Sequence, residues 1–408
     1  MGVDDVLVVI VGAGPAGLAT AACLNKLSIP NVVLERDDCH GSLWRKRAYD
    51  RLKLHLGKDF CNLPHMPFPS DFPTFVPRVS FLRYLDCYVT SFNISIRYNR
   101  NVESASFDES DGKWRVVVKD TESNADEVYL SDYLVVASGE NSEGYIPYVH
   151  GLKGFQGEYM HCNQYINGRD MYGKNVLVVG SGNSGMEIAY DLTNWGANTS
   201  MVVRGPVHYF TKEMVYVGMS LLKYFDLQKV DKLMWLMSKL KYGDMSGYGL
   251  VRPKEGPFTL KIKGGTTPTI DVGCIRKIKK GLVKVYPTIS SIVGKTIEFE
   301  DGRNGEFDII IFATGYRSTV LKWLKDYRLL FNEHGMPKPD YPNHWKGEKG
   351  IYCAGFSRRG LEGISFDAKR IADDISLAVK ARKIPGGKSS HACTLASNSW
   401  RMNELFCS

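Results

Sequence analysis

The feature that most constrains the fold of this 408-residue chain is a glycine pattern, G-x-G-x-x-G, that occurs twice with its copies 168 residues apart. The first copy occupies residues 12–17. A run of Leu, Val and Ile at 7–11 precedes it and predicts a buried strand, while the Ala- and Leu-rich residues 18–27 predict a helix. Residues 31–35 predict a second strand. These segments together predict a β-α-β unit.

The second copy has the same surroundings. It occupies residues 180–185, between a predicted strand at 175–179 and a predicted helix at 186–195, and a further strand is predicted at 199–204. In such a turn the first glycine permits the bend, the second lets the backbone approach a pyrophosphate, and the third lets helix and strand pack closely. The helix N-terminus then favours the negatively charged phosphates. A glycine-rich turn without a ligand is the alternative interpretation, and the flanking pattern disfavours it.

The sequence therefore predicts an α/β fold with two Rossmann-type dinucleotide-binding domains. The residues predicted to hold the nucleotides form the two turns: Gly12, Ala13, Gly14, Pro15, Ala16 and Gly17 in the first, and Gly180, Ser181, Gly182, Asn183, Ser184 and Gly185 in the second. Because two nucleotides on one chain imply electron transfer between them, this arrangement favours an oxidoreductase.

The ends of the second strands distinguish the two nucleotides. Glu35 stands 18 residues after Gly17, where a carboxylate accepts hydrogen bonds from ribose hydroxyls and repels a 2′-phosphate. Arg204 stands 19 residues after Gly185, where a guanidinium suits a 2′-phosphate. The alternative is that each is an ordinary surface charge. As a pair, they predict FAD or NAD at the first turn and NADPH at the second.

Composition and cysteine placement narrow the class further. Apolar residues make up 44% of the chain and charged residues 24%, which excludes a disordered or collagen-like chain. The formal net charge of +8 suits anionic small molecules as well as nucleic acid, and by itself predicts no nucleic-acid partner. The nine cysteines include no C-x-x-C pair, which argues against a zinc site and against a disulfide reductase of the thioredoxin reductase kind. We predict no metal and a reducing, cytoplasmic location.

Three segments bear on membrane contact and flexibility. Residues 6–24 carry no charge, but they contain the first glycine turn and follow two aspartates, so we predict no transmembrane segment. Residues 215–240, rich in Met, Leu and Lys, predict a helical insertion over the cleft between the domains, and the alternative is peripheral contact with membrane headgroups. Residues 386–408 are polar and Ser-rich and predict a flexible tail. No feature favours a particular oligomeric state.

Other motifs resemble those of a known enzyme class. The pattern F-x-G-x-x-x-H-x-x-x-Y at 155–165 is similar to the identifying motif of the flavin-containing monooxygenases. The A-T-G-Y run at 313–316 resembles their second linker motif, and G-S-L-W at 41–44 resembles their flavin-side G-x-x-W segment.

A narrower resemblance is to the YUCCA family of plant flavin monooxygenases. Residues 49–55, 60–64 and 200–204 carry it, and the overall likeness runs from about 6 to 384. It implies an FAD-binding domain formed by residues 1–165 and 306–385, interrupted by an NADPH-binding domain at 166–305.

The resemblance also implies a reaction and its substrates. YUCCA enzymes use FAD, NADPH and O₂ to decarboxylate indole-3-pyruvate oxidatively, through a peroxyflavin, to indole-3-acetate, the plant hormone auxin. An N- or S-oxygenating enzyme and a Baeyer–Villiger enzyme are alternatives on the same scaffold. A non-enzymatic nucleotide-sensing module is an alternative from another class.

Besides Glu35 and Arg204, three side chains outside the glycine turns are candidates for the site, and two more are candidates for the linker between the domains. His55, which replaces an Asn of the broader class beside the expected flavin ring, and Lys58 are the candidate catalytic residues. A His satisfied in a loop and a solvated Lys are the alternatives. Trp44 is expected to pack against the flavin, or equally to be a core residue. His161 and Tyr165 are expected to fix the linker between the domains.

Overall fold

A computed structural model of the chain describes residues 2–264 and 267–382. Within them the chain forms two compact units. The first unit combines residues 2–46, Lys58–Glu143 and 317–382, and the second combines Arg47–Gly57 and Gly144–Tyr316. The predicted flexible tail at 386–408 lies outside the described residues.

The strands alternate with helices in both units. In chain order the strands are β1 Gly2–Val11, β2 Asn31–Leu34, β3 Ile96–Arg97, β4 Arg100–Asp108, β5 Lys113–Asp120, β6 Asp126–Val136, β7 Glu143–Gly144, β8 Glu158–His161, β9 Asn175–Val179, β10 Asn198–Val202, β11 Tyr209–Phe210, β12 Thr269–Ile270, β13 Val283–Tyr286, β14 Ile289–Val293, β15 Thr296–Phe299, β16 Asn304–Glu306, β17 Ile309–Phe312, β18 Tyr316–Arg317 and β19 Ile351–Cys353.

The helices are of very different lengths. They are α1 Pro15–Lys26, α2 Ser42–Lys46, α3 Arg78–Ser91, α4 Asn183–Asn194, α5 Lys212–Leu221, α6 Leu227–Tyr242, α7 Pro257–Gly264, α8 Cys274–Lys279, α9 Val320–Trp323 and α10 Gly360–Arg382. Single 3₁₀ turns occupy Lys58–Phe60, Leu152–Gly154, Arg169–Met171, Ser246–Tyr248 and Tyr327–Leu329.

The first unit is built on a seven-stranded sheet in the order β3-β2-β1-β6-β5-β4, with β19 also paired to β6. Strands β1, β2, β3 and β19 pair in parallel, and β4 pairs antiparallel with β5. The long strand β6 pairs in parallel with β1 along one edge. Along its other edge, its first half pairs antiparallel with β5 and its second half pairs in parallel with β19. Its apolar end and residues 8–11 of β1 are buried, as parallel strands with covered faces require.

The second unit is built on a five-stranded sheet in the order β13-β10-β9-β17-β8, in which every pair is parallel. Its central strand β9 matches the predicted strand at 175–179 and has four buried residues in a row. A three-stranded antiparallel sheet, β14-β15-β16, and the short parallel pair β11-β12 complete the unit. The predicted α/β fold with two Rossmann-type units is confirmed.

The compact units differ from the predicted domain boundaries. Strand β8 belongs to the second unit because it pairs with β17, which in turn pairs with β9. Segment Arg47–Gly57 also belongs there, since Tyr49 is buried in the core of the second unit and the Asp50 N–H donates to Ile166 O at 3.0 Å. The chain therefore leaves the first unit after Glu143 and returns to it at Arg317, whereas the sequence predicted these boundaries at 165 and 306.

Helices α5 and α6 occupy the region of the predicted insertion. Asp231 anchors α6 because its carboxylate accepts hydrogen bonds from the backbone N–H groups of Phe258 and Thr259 at the start of α7, at 2.8 and 3.0 Å. None of the helices within residues 2–264 and 267–382 combines the length and the apolar character that a membrane span requires.

The close approach of β8 and β17 gives a stability prediction. A Cβ on Gly157 would lie 2.3 Å from the carbonyl oxygen of Asp308, so G157A must separate two backbones. We expect this substitution to lower the free energy of unfolding by roughly 1–3 kcal/mol. G154A is the matched control, since a Cβ on Gly154 meets no described atom within 4 Å. Urea unfolding of both variants checks this, and equal stability of the two would contradict it.

Candidate functional site

At its first and third glycines, the first glycine turn makes backbone contacts that leave no room for a side chain. Gly12 has φ +108°, and a Cβ there would lie 2.6 Å from Ala137 O at the end of β6. A Cβ on Gly17 would lie 1.9 Å from Gly12 O. Because only glycine fits at both positions, the turn holds the start of α1 directly against the ends of β1 and β6.

The second glycine turn repeats this geometry in the second unit. Gly180 has φ +121°, and its Cβ would lie 2.4 Å from Ala313 O, just after β17. A Cβ on Gly185 would lie 2.0 Å from Gly180 O. The sequence repeat is therefore a structural repeat. In each unit the turn packs against the end of the neighbouring parallel strand, β6 in the first unit and β17 in the second.

The middle glycine of each turn is different. A Cβ on Gly14 or Gly182 meets no described atom within 4 Å, and both residues have ordinary extended backbone before helices α1 and α4. Neither helix, both of which lie wholly in the described chain, has an acidic residue in its first turn or a side-chain cap. The open space beside each helix N-terminus fits the phosphates of a dinucleotide.

Glu35, at the end of β2, is buried with 6% of its surface exposed. Its carboxylate accepts hydrogen bonds from the backbone N–H of Ala13 at 2.7 Å and from that of Asp37 at 3.1 Å. Burial raises the pKa of Glu35, while these two bonds oppose the rise. The carboxylate thus ties the glycine turn to the strand end, and its remaining lone pairs can accept hydroxyl protons.

Arg204 follows β10 at the corresponding place in the second unit. Its side chain is exposed, and no acceptor within the described part of the chain forms a hydrogen bond or ion pair with it. The two strand ends therefore differ as the sequence predicts, with a fixed carboxylate in one unit and an unpaired guanidinium in the other.

His55 lies against the second glycine turn. Its Nδ1 is 3.1 Å from Asn183 Nδ2, and its Nε2 is 3.4 Å from Glu187 Oε1 on α4. The ring keeps 24% of its side-chain surface exposed. Lys212, at the start of α5, reaches the same segment, where its Nζ donates to Leu54 O at 3.4 Å.

Lys58 lies in the first unit and holds a loop. Its Nζ donates to the carbonyl oxygens of Pro69, Ser70 and Phe72 at 3.1, 2.8 and 2.7 Å. An ammonium group has three protons, so these three bonds engage all of its donors. Lys58 thus holds the loop at 69–72 in place through these three bonds, and we call this arrangement the Lys58 clamp.

Trp44 belongs to the short helix α2 and is half-buried. Its ring packs edge-on against Phe81 of α3, with the ring centroids 4.7 Å apart. Arg78 supports α2 by donating to Trp44 O at 3.1 Å and to Arg45 O at 3.2 Å. Trp44 thus makes the packing contacts expected of a core residue. Its contact with a flavin stays a prediction.

His161 contacts the linker motif that follows β17. Its Nε2 is 3.0 Å from Gly315 O, its ring packs edge-on against Tyr316, and a Cβ on Gly144 would overlap it. The expected linker role of Tyr165 is wrong, because its hydroxyl donates to Asp191 of α4 at 2.7 Å and its ring lies in the core of the second unit.

The sequence analysis missed Glu187 and Lys212. Glu187 is 1% exposed, although it stands directly between the buried residues Met186 and Ile188 of α4. A lone carboxylate inside the apolar run M-E-I-A is the signal that could have indicated a buried partner. The partner, His55, lies far away in the sequence, which is why the pair itself is not visible there.

Comparisons with known proteins agree with this geometry. The flavin-binding monooxygenase-like family model matches residues 6–327. The "Probable indole-3-pyruvate monooxygenase YUCCA10" of Arabidopsis thaliana is 56% identical over 91% of this chain and 97% of its own length. A solved flavin-containing monooxygenase from Stenotrophomonas maltophilia is 19% identical with a TM-score of 0.69, covering 92% of this chain and 99% of that one. The structure of OTEMO with FAD and NADP is 15% identical with a TM-score of 0.72, covering 92% and 86%.

The chain therefore belongs to the flavin-binding monooxygenase-like family. Within that family the predicted resemblance to the YUCCA proteins is confirmed by the identity to YUCCA10. The two solved structures are too distant in sequence to support more than the shared fold.

The Lys58 clamp can be tested directly. We expect K58M to lower the free energy of unfolding by roughly 1.5–3 kcal/mol, because three carbonyl oxygens lose a charged donor. K325M is the matched control, since Lys325 is an exposed lysine of the same unit. Urea unfolding measures both variants. If K58M were as stable as K325M, the clamp would be excluded.

Proposed function

We propose that this protein is an FAD- and NADPH-dependent monooxygenase that converts indole-3-pyruvate and O₂ to indole-3-acetate. The observation that carries the proposal is the repeated glycine turn with opposite charges at the two strand ends. The first turn, with Glu35 behind it, suits FAD, and the second, with Arg204 beside it, suits NADPH.

The residues around the first turn support FAD binding. The pyrophosphate would lie against the N-terminus of α1, where the open side of Gly14 permits close approach of the backbone. Glu35 would accept hydrogen bonds from ribose hydroxyls, and its bond to the Ala13 N–H keeps it oriented for that role.

The residues around the second turn support NADPH binding. The open side of Gly182 and the N-terminus of α4 suit the pyrophosphate, with Ser181 and Ser184 beside it. The exposed guanidinium of Arg204 suits a 2′-phosphate, which it can bind through two parallel hydrogen bonds. A carboxylate at this position would instead repel that phosphate.

The reaction that fits these cofactors balances without a further reactant. Indole-3-pyruvate, O₂, NADPH and one proton give indole-3-acetate, CO₂, NADP⁺ and water. A bound flavin supplies the transfer of electrons from NADPH to O₂, and the protein supplies binding, orientation and exclusion of water. The choice of indole-3-pyruvate is supported by the name of the 56% identical Arabidopsis relative.

Among the candidates for the reaction site, His55 has the stronger support. Its ring is partly exposed, Nδ1 is hydrogen-bonded to Asn183, and Nε2 lies within ion-pair distance of Glu187, so the ring can shape a site with a fixed geometry. We propose the same shaping role, without proton transfer, for Trp44. Lys58 is engaged on three carbonyl oxygens, and these contacts support a structural role for it.

We also propose a cytoplasmic location. The cysteines within residues 2–264 and 267–382 are free thiols, which suits a reducing compartment. Helix α6 exposes Trp235, Leu236 and Leu240 among lysines, and this surface supports peripheral membrane contact as the alternative.

The reaction is tested on the purified, FAD-loaded chain. With indole-3-pyruvate present, we expect NADPH and O₂ to be consumed and indole-3-acetate and CO₂ to form in equal amounts, measured by absorbance, an oxygen electrode and chromatography. An oxygenated amine or sulfide, or an ester from a ketone, would indicate the alternative enzymes. A chain that binds both nucleotides but turns over no 2-oxo acid would contradict the proposal and revive a nucleotide sensor.

The role of Arg204 is tested by nucleotide preference. R204A should raise the KM for NADPH roughly 10- to 100-fold, because a charged hydrogen-bonding partner of the 2′-phosphate is lost, while the KM for NADH stays unchanged. R276A is a suitable control, since Arg276 is an exposed arginine of the same unit. Steady-state kinetics with both nucleotides measures the effect. An equal loss with NADPH and NADH would refute a 2′-phosphate contact.

A further inference from the structure

The orientation of the Asn183 side chain is fixed by a backbone group. Asn183 is the first residue of α4, and its Oδ1 accepts a hydrogen bond from the N–H of Ile270 in β12 at 2.8 Å. A backbone N–H can only donate, so the oxygen of the amide must face Ile270. The Asn183 NH₂ group therefore faces the other way, towards His55.

This orientation determines which nitrogen of His55 carries the proton. Asn183 Nδ2 is a donor and lies 3.1 Å from His55 Nδ1, so Nδ1 must be the unprotonated acceptor. In a neutral imidazole the single proton then lies on Nε2. His55 Nε2 is 3.4 Å from Glu187 Oε1, an ion-pair distance, and within the described residues neither of these buried atoms forms a hydrogen bond.

Glu187 is the carboxylate that lies within ion-pair distance of that proton. It is 1% exposed, and burial by itself raises the pKa of its carboxyl. The interaction with His55 and the positive charges of Lys212 and Arg51 outweigh burial and lower the pKa below its ordinary value. Glu187 is therefore an anion near neutral pH. Tyr49 also faces it, and Lys53 adds positive charge near Lys212.

We propose that Glu187 is a positioning residue for the second glycine turn. It fixes His55 in the tautomer with the proton on Nε2, His55 Nδ1 then anchors the Asn183 amide, and Asn183 holds the start of α4 where NADPH is proposed to bind. The inference rests on the proposed function only in naming NADPH as the ligand of that turn.

The contacts among Ile270, Asn183 and His55 allow only one assignment of donors and acceptors. A second proton on His55 would place an N–H on Nδ1 opposite the Asn183 NH₂ group, so that two donors face each other. Rotating the amide would relieve this contact but would put the NH₂ group against the Ile270 N–H. The unprotonated Nδ1 of His55 and the observed orientation of the Asn183 amide therefore require each other.

The first test measures the His55 tautomer and the affinity for NADPH in the full FAD-loaded chain. The ¹⁵N NMR signals of labelled imidazoles, with His55 assigned by an H55F variant, should show Nε2 protonated and Nδ1 unprotonated. E187L, which removes the acceptor, should lose this pattern and weaken NADPH binding roughly five- to tenfold. E187Q keeps an acceptor oxygen and should restore both properties.

A second variant keeps the inference testable if E187L does not fold. In N183D a carboxylate can accept from Ile270 and also from a proton on His55 Nδ1. Nδ1 of His55 should then carry a proton, which the same ¹⁵N signals detect. An Nδ1 that stays unprotonated in N183D would overturn the inference.

The outcomes separate this inference from the proposed function. Protonation of Nδ1 in the unmodified chain, or an E187L variant with unchanged tautomer and NADPH affinity, would refute the role of Glu187. If the unmodified chain bound no NADPH, the proposed function would fail, while the tautomer, measured without nucleotide, would still decide whether Glu187 fixes His55.

Discussion

The structure depends on one steric constraint, the contact between backbones at the two glycine turns. At each turn the third glycine lies against the carbonyl oxygen of the first, and the first lies against the strand that follows in the sheet. A side chain at these positions would push the helix away from the strand ends. Because the helix N-terminus is held there, its unpaired N–H groups are concentrated at one edge of each sheet.

Charge placement gives the two equivalent turns different tasks. In the first unit the carboxylate of Glu35 is buried and bonded to the turn itself, so its negative charge is a fixed part of the site. In the second unit Arg204 is exposed and unpaired within the described chain, so its charge is available to a ligand. This difference in charge, on the same backbone geometry, is the basis on which we propose different nucleotides for the two turns.

Local sequence patterns made much of this structure predictable. Features that depend on contacts between residues far apart in the sequence were not predictable. The glycine spacing and apolar runs identified both β-α-β units, but the helices begin inside the turns, at Pro15 and Asn183, because proline and a small polar residue suit the first helical turn. The unit boundaries were not predictable, since β8 joins its sheet only through the distant strand β17. The loop contacts of Lys58 and the partner of Tyr165 likewise depend on tertiary structure.

The buried carboxylate of Glu187 is best explained by what it orders. A buried charge pair is often no more stabilising than apolar residues of the same volume, so stability alone is a weak reason for a glutamate among the core residues of α4. Leucine there would preserve packing, but it would remove the carboxylate that lies 3.4 Å from His55 Nε2. The Asn183 amide would then lose its defined partner at the N-terminus where the pyrophosphate is proposed to bind. A charge that weakly affects folding can thus determine the conformation of the binding turn.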